Sequence, residues 1–137
     1  MKLPVSLIAS LVFFSACKSD NKPCAIGQVS LSGTYKITAQ ITKTSGGQIV
    51  NSYSPWEDCK KDDLYTFNSN GTFSYAEGVT SCDPASQTYS LNWSLQGSTM
   101  NLGSEQGVIS DFTCSSFKLI NQDAGSGSTI TSTYSRQ

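Results

Sequence analysis

The sequence predicts an all-β domain of eight or nine short strands, arranged as a sandwich or as an up-and-down antiparallel barrel. Charged residues make up only 14% of the chain and aromatic residues 10%, a balance that favours strands. Several segments alternate apolar and polar residues with a period of two, which is typical of a strand with one buried face. Turns rich in Gly, Asn and Ser separate these segments at short intervals, which disfavours βαβ units.

The individual strands follow from this alternation and from the turns between them. Along the strand that begins at Thr34, four apolar residues at alternate positions are predicted to share the buried face: Tyr35, Ile37, Ala39 and Ile41. The pair Asn70-Gly71 favours positive φ and predicts a hairpin between the strands on either side of it. The predicted strands are 34–42, 48–53, 64–67, 72–75, 89–95, 99–102, 108–112, 116–121 and 129–136, with an irregular or single-turn helical connection at 55–62.

Residues 1–16 are predicted to be a signal peptide. The apolar run Leu3–Phe14 is too short to cross a hydrocarbon layer, which needs about 20 helical residues. The run ends in Ser15-Ala16-Cys17, which resembles the lipobox of bacterial lipoproteins. That resemblance implies acylation of Cys17, with palmitate among the acyl chains, and a membrane tether over residues 17–30. The alternative is an ordinary secretory signal that is cleaved nearby.

Residue 18 bears on the destination of the protein. In lipoproteins that resemble this one, Asp after the acylated cysteine retains the protein in the inner membrane, and this chain has Lys18 instead. The resemblance therefore implies a lipid anchor in the outer membrane, on its periplasmic or its cell-surface side.

The remaining four cysteines indicate two disulfides. Four cysteines can pair in three ways. We favour Cys59 with Cys82, because these two flank the predicted hairpin, and Cys24 with Cys114 then follows. Both bridges fit the oxidising compartment that the signal peptide predicts.

The ordered motifs of the chain resemble the lipocalin-like domain of small bacterial lipoproteins. The resemblance extends over residues 29–137 and implies a lipocalin-like barrel of eight or nine strands at 31–137. Its motifs, in chain order, are Trp56-Glu57-Asp58-Cys59-Lys60-Lys61-Asp62-Asp63, Phe67, Asn70-Gly71-Thr72, Cys82-Asp83-Pro84, Trp93-Ser94-Leu95 and Thr133-Tyr134-Ser135-Arg136.

The same resemblance implies how the barrel is closed. In lipocalins a Gly-x-Trp on the first strand packs against an Arg on the last strand, and here Gly33-Thr34-Tyr35 has Tyr in place of Trp. Arg136 would then lie over the Tyr35 ring in a cation–π contact. The alternative is an exposed Arg136 without a fixed partner.

The resemblance also implies a binding site for a small hydrophobic molecule inside the barrel. An eight-stranded barrel has room for packed side chains or for one small ligand. Because aromatic residues crowd the predicted inner faces, a ligand-free structural or interaction lipoprotein that contacts an envelope or extracellular partner is the competing hypothesis. The candidate ligand-binding residues are Tyr65, Phe67, Phe73, Tyr75, Tyr89 and Trp93, and the other expected inward aromatics are Tyr35, Phe112, Phe117 and Tyr134.

Other classes of function are disfavoured by composition. The chain has no histidine, no nucleophile elbow and a formal net charge of −1, so we expect no enzyme, no cofactor and no nucleic-acid partner. The charged segment from Glu57 to Asp63, with Asp83 nearby, could supply carboxylates to Ca²⁺. Because lysines alternate with these carboxylates, we predict a solvated, disulfide-pinned loop and no metal. We also expect a monomer.

Overall fold

The computed structural model describes residues 24–82 and 88–137. The predicted signal peptide, Cys17 and Asp83 lie outside these residues. Within them, no helix is long and apolar enough to cross a membrane. The elements of the described chain are α1 (Gln28–Leu31), β1 (Gly33–Lys43), β2 (Ile49–Asn51), α2 (Asp58–Lys61), β3 (Leu64–Phe67), β4 (Thr72–Ala76), β5 (Tyr89–Gln96), β6 (Thr99–Leu102), β7 (Glu105–Ser110), β8 (Ser116–Asp123) and β9 (Ser128–Arg136).

Eight of these strands form a closed antiparallel barrel. Each strand from β3 to β9 pairs with the next along the chain, and β1 closes the ring by pairing with β9 on one side and β3 on the other. Among the described strands, the small β2 pairs only with the second half of β1, and it adds a flap outside the ring. Of the two predicted architectures, the up-and-down barrel is therefore confirmed and the sandwich is wrong.

The two ends of the barrel differ, one being covered by a helix, and we call them the capped end and the far end. At the capped end, β1 begins, β9 ends and α1 lies across the opening, with Leu31 fully buried. At the far end, β1 and β8 end, and β3 and β9 begin.

The core is aromatic and lies toward the capped end. Phe67 sits at its centre, with ring centroids of Tyr35, Phe73, Trp93, Phe117 and Tyr134 all between 5.0 and 6.1 Å away. Most of these contacts are edge-to-face, the geometry that aromatic quadrupoles prefer. Burial is completed by Leu31, Ile37, Met100, Ile109 and Leu119.

A β-bulge in β1 exchanges the inward-facing and outward-facing side chains in the second half of the strand. The register with β9 shifts between Ile37 and Ala39, so that Thr38 is an extra residue. The prediction that Ala39 and Ile41 share the buried face of Tyr35 and Ile37 is therefore wrong, since both are exposed. A period of two cannot continue across an inserted residue.

Several element boundaries also differ from the prediction. β7 occupies Glu105–Ser110 and not 108–112, because a tight turn with Gly103 at φ 58° starts the strand directly after β6. Asp111, at φ 49°, then ends it. The short helix α1 falls in a segment in which no regular element was predicted.

Both favoured disulfides are confirmed. Cys59 and Cys82 are bonded with their Cα atoms 5.3 Å apart, and Cys24 and Cys114 with theirs 5.4 Å apart. The Cys24–Cys114 bridge joins the segment before α1 to the β7–β8 connection, so it holds α1 against the barrel.

Candidate ligand site at the far end of the barrel

The capped end is sealed by a hydrogen-bond network around Tyr35. Its hydroxyl donates to the Leu31 carbonyl oxygen at 2.7 Å and accepts from Nη2 of Arg136 at 2.7 Å. The same Nη2 donates to the carbonyl oxygen of Ser30 at 2.7 Å, and the guanidinium carbon lies 5.2 Å from the Tyr35 ring centroid. The first strand, the last strand and α1 are thus joined by a few polar atoms across this end of the barrel.

The six candidate ligand-binding residues fall into two groups. Phe67, Phe73 and Trp93 are 1–3% exposed and belong to the packed core. The Trp93 indole also donates from Nε1 to the Asn68 carbonyl oxygen at 2.9 Å, which fixes the ring beneath the β3–β4 turn. These three side chains fill the interior.

The other three candidates, Tyr65, Tyr75 and Tyr89, come together toward the far end. The rings of Tyr75 and Tyr89 stack with centroids 5.0 Å apart, and Tyr65 meets Tyr75 edge-on at 5.6 Å. Tyr65 also contacts the buried Tyr134 ring at 5.6 Å, which joins the group to the core. Because Tyr89 is 45% exposed, this cluster of three tyrosines, the tyrosine cluster, is open to solvent on one side.

A buried carboxylate adjoins the tyrosine cluster. Asp63 is 5% exposed, and its Oδ2 accepts a hydrogen bond of 2.7 Å from the Tyr75 hydroxyl. Its Oδ1 is also buried and has no hydrogen-bond partner among the described residues. The expectation that Asp63 belongs to a solvated loop is therefore wrong. Its position gave a usable signal, since Asp63, Tyr65 and Phe67 lie at alternate positions and so share the inner face.

The surroundings of the tyrosine cluster disfavour ionisation of its phenols. Burial is the main cause that raises the pKa of Tyr65, and the nearby charge of Asp63 adds to it. The pKa of Tyr75 is also raised, by burial first and then by the hydrogen bond that its phenol donates to Asp63. Both phenols therefore stay neutral at physiological pH, and their ring faces keep the negative potential of an aromatic π-system.

Polar side chains face the interior on the β1–β9 wall of the far end. Beyond the bulge, Gln40 donates from Nε2 to the hydroxyl of Ser132 at 2.9 Å. Ser132 and Ser128 are both 8% exposed. Thr42 donates to the Ser52 hydroxyl at 3.0 Å and so joins β1 to the chain just after β2. The far end thus offers hydrogen-bonding groups as well as aromatic rings.

The rest of the charged segment lies outside the barrel. Glu57 pairs with Lys60 at 3.4 Å and Asp58 with Lys61 at 3.1 Å, and Glu57, Asp58 and Lys60 are all exposed. Glu57 also comes close to the sulfur atoms of Cys59 and Cys82, but those two atoms are bonded to each other and cannot act as thiolate ligands.

A comparison with protein families agrees with this architecture. The sequence profile of the lipocalin-like domain matches residues 31–120. No curated protein matches the sequence. A solved structure of a redesigned β-barrel is 17% identical and covers 85% of this chain and 99% of its own, with a TM-score of 0.39. Since the profile match covers more than half of a chain that forms a closed antiparallel barrel, the protein belongs to the lipocalin-like domain family.

Proposed function

We propose that the protein is a lipid-anchored protein of the outer membrane whose barrel binds a small hydrophobic or amphipathic molecule at its far end. The observation that carries the proposal is the difference between the two ends. The capped end is filled by aromatic rings and covered by α1, whereas the far end presents tyrosine rings that remain partly exposed. Exposed aromatic surface beside a few well-placed polar groups is the usual composition of a small-molecule site.

Within this proposal the candidate residues have two roles. Tyr65, Tyr75 and Tyr89 contact the ligand, whereas Phe67, Phe73 and Trp93 form the floor against which it rests. Tyr89 is in ring contact with both groups, since its centroid lies 6.3 Å from that of Phe73.

Native mass spectrometry of the full chain, purified from membranes in a mild detergent, tests the binding. We expect a co-purified small molecule in stoichiometric amount, and its loss in Tyr89→Ala. Val108→Ala is the matched control, because Val108 is similarly exposed, at 47%, but lies on the outer face of β7. An interior without any bound molecule, together with exclusion of an apolar dye, would contradict the proposal.

The anchor has a separate test. If Cys17 is acylated with palmitate among the acyl chains, the protein should incorporate labelled palmitate and be recovered in the outer-membrane fraction. Cys17→Ser should abolish both, while Cys59→Ser should leave the labelling intact. Membrane recovery of the unlabelled Cys17→Ser protein would show that the anchor is not an acyl chain on Cys17.

One observation favours a second candidate function, an interaction lipoprotein whose outer surface contacts a protein partner. The β1–β2 flap exposes Ile41, Ile49 and Val50, of which Ile49 is 67% exposed. In the described chain β2 pairs on one side only, and an unpaired apolar strand edge is a site where another strand can add. Crosslinking in intact cells from position 49 would capture such a partner, and a ligand-free barrel together with a specific crosslink would favour this function.

A further inference from the structure

A buried carboxylate oxygen at the far end of the barrel has no hydrogen-bond donor among the residues that the structure describes. In the described part of the chain, Oδ2 of Asp63 accepts from the Tyr75 hydroxyl, Oδ1 has no partner, and no ion pair involves Asp63. Burying a carboxylate without a donor or a cation is costly, and such groups are normally paired. Within residues 24–82 and 88–137, the far end therefore holds a buried acceptor that an N–H donor from a bound ligand would satisfy.

Aromatic side chains adjoin the Asp63 carboxylate through Tyr75. The Tyr75 hydroxyl donates to Asp63, the Tyr89 ring stacks on the Tyr75 ring, and the Tyr65 ring meets Tyr75 edge-on. Aromatic faces attract cations. Lys61 is two residues from Asp63 in the chain, but its Nζ pairs with Asp58 at 3.1 Å and lies 5.9 Å from the Tyr53 ring centroid. A carboxylate beside tyrosine faces is the arrangement that favours an organic cation over a neutral or anionic molecule.

We propose that the far end binds a protonated primary or secondary amine with an apolar tail, with the ammonium donating to Oδ1 of Asp63 and lying against the rings of the tyrosine cluster. This inference rests on the proposed small-molecule site and names its ligand class. The ligand needs an N–H group because a carboxylate oxygen can only accept a hydrogen bond. A quaternary ammonium has no N–H and cannot donate one. The apolar tail extends over Tyr89 and Leu91, which are 45% and 38% exposed.

Isothermal titration calorimetry on the full chain in a non-ionic detergent tests the charge of the ligand. The probes share one phenyl tail and differ in the head group: phenethylammonium, its trimethylammonium analogue, phenylpropanol and phenylpropionate. We expect phenethylammonium to bind at least about tenfold more tightly than phenylpropanol, since a charge-assisted hydrogen bond is gained. The trimethylammonium probe should bind more weakly than phenethylammonium, and phenylpropionate should not bind.

Variants then test the role of Asp63. Asp63→Asn should weaken phenethylammonium binding by about 10- to 100-fold and remove the preference for it over phenylpropanol. Asp58→Asn is the matched control, because it removes the same charge from a fully exposed position nearby and should leave both affinities unchanged. A merely structural Asp63 would change both affinities together and leave their ratio intact.

The remaining outcomes separate this inference from the proposed function. If Asp63→Asn does not fold, Tyr89→Leu carries the test and should weaken phenethylammonium binding more than phenylpropanol binding. If phenylpropanol and phenylpropionate bind as tightly as phenethylammonium, the cation inference is overturned while the binding site stands. If no probe binds, both the ligand class and the site are overturned.

Discussion

Tyr35 and Arg136 lie directly opposite each other on the first and last strands of the barrel, and the hydroxyl of Tyr35 accepts a hydrogen bond from Nη2 of Arg136 while donating one to Leu31. Tyr35→Phe removes both hydrogen bonds and leaves the Leu31 carbonyl without its buried donor. We expect this change to lower the free energy of unfolding by about 1–3 kcal/mol, measured by urea denaturation.

Lys118→Ala is the control for that measurement. It breaks the 2.7 Å ion pair between Lys118 and Asp111, whose side chains are 44% and 67% exposed respectively. The free energy of unfolding should therefore fall by at most about 1 kcal/mol. Equal losses for the two variants would mean that the buried network at the capped end contributes no more than an exposed ion pair.

Gly33 is required because Arg136 lies against it. Its φ is +153°, and a Cβ at this position would lie 3.0 Å from Nη1 and 3.2 Å from Cζ of Arg136. Gly33→Ala should therefore cost about 1–3 kcal/mol in backbone strain, and more from displacement of the guanidinium. Gly47→Ala separates the two causes, because Gly47 has a φ of +84° but nothing within 4 Å of the added Cβ. Urea denaturation should show a larger loss of unfolding free energy for Gly33→Ala. A larger loss for Gly47→Ala would contradict a clash between the added Cβ and the Arg136 guanidinium.

The barrel could be predicted from the sequence because its strands and turns are encoded locally. Asn70-Gly71 lies in the β3–β4 turn with Gly71 at φ 86°, and period-two alternation located most strands. The bulge at Thr38 could not be predicted, because the extra residue is defined only by pairing with β9, which lies far away in sequence.

The candidate site was only partly predictable for a related reason. Alternation placed Tyr65, Tyr75 and Tyr89 on inner faces, but whether an inward ring is packed or partly exposed depends on the cap at one end of the barrel. Asp63 was missed because its charged neighbours at 57–62 indicated solvent, although it shares the inward positions of Tyr65 and Phe67.

The bulge makes a prediction that compares two isoleucines on one strand. Ile37, before the bulge, is 6% exposed, and Ile41, after it, is 43% exposed. Ile37→Ala should lower the free energy of unfolding by about 2–4 kcal/mol through lost burial and a new cavity, whereas Ile41→Ala should change it by no more than about 0.5–1 kcal/mol. Similar losses in urea denaturation would show that both side chains point into the barrel.

The two disulfides should differ in their contribution to stability. Cys24 and Cys114 are 90 residues apart, and Cys59 and Cys82 are 23 apart. Restriction of the unfolded chain predicts losses of about 4–5 and about 3–3.5 kcal/mol when each pair is replaced by serine. Urea denaturation of the two double variants measures the difference. The opposite order would indicate that local packing at each bridge outweighs the entropy of the unfolded chain.

Alkaline pH should destabilise the barrel through four tyrosines that are buried or partly buried. Burial is the main cause that raises the pKa of Tyr35, Tyr65, Tyr75 and Tyr134 above the ordinary value of 10.0. In the unfolded chain these phenols release protons near pH 10, while the folded barrel retains them. The unfolded state therefore binds fewer protons, and stability is fully present below about pH 10 and is lost as the pH rises above it. In an alkaline titration, the part of the tyrosinate absorbance that comes from these four phenols should therefore appear at the same pH as unfolding.

Tyr134→Phe tests this origin of the alkaline instability. Tyr134 is buried in the core, and its ring stacks on that of Phe117 with centroids 4.8 Å apart. Replacing it removes one proton from the linkage, so the loss of stability per pH unit above about pH 10 should become smaller by up to about 1.4 kcal/mol. Phe117→Leu perturbs the same packing without a titrating group, so it should lower stability equally at neutral and alkaline pH. If both variants change the slope with pH to the same extent, packing and not proton release accounts for the alkaline loss.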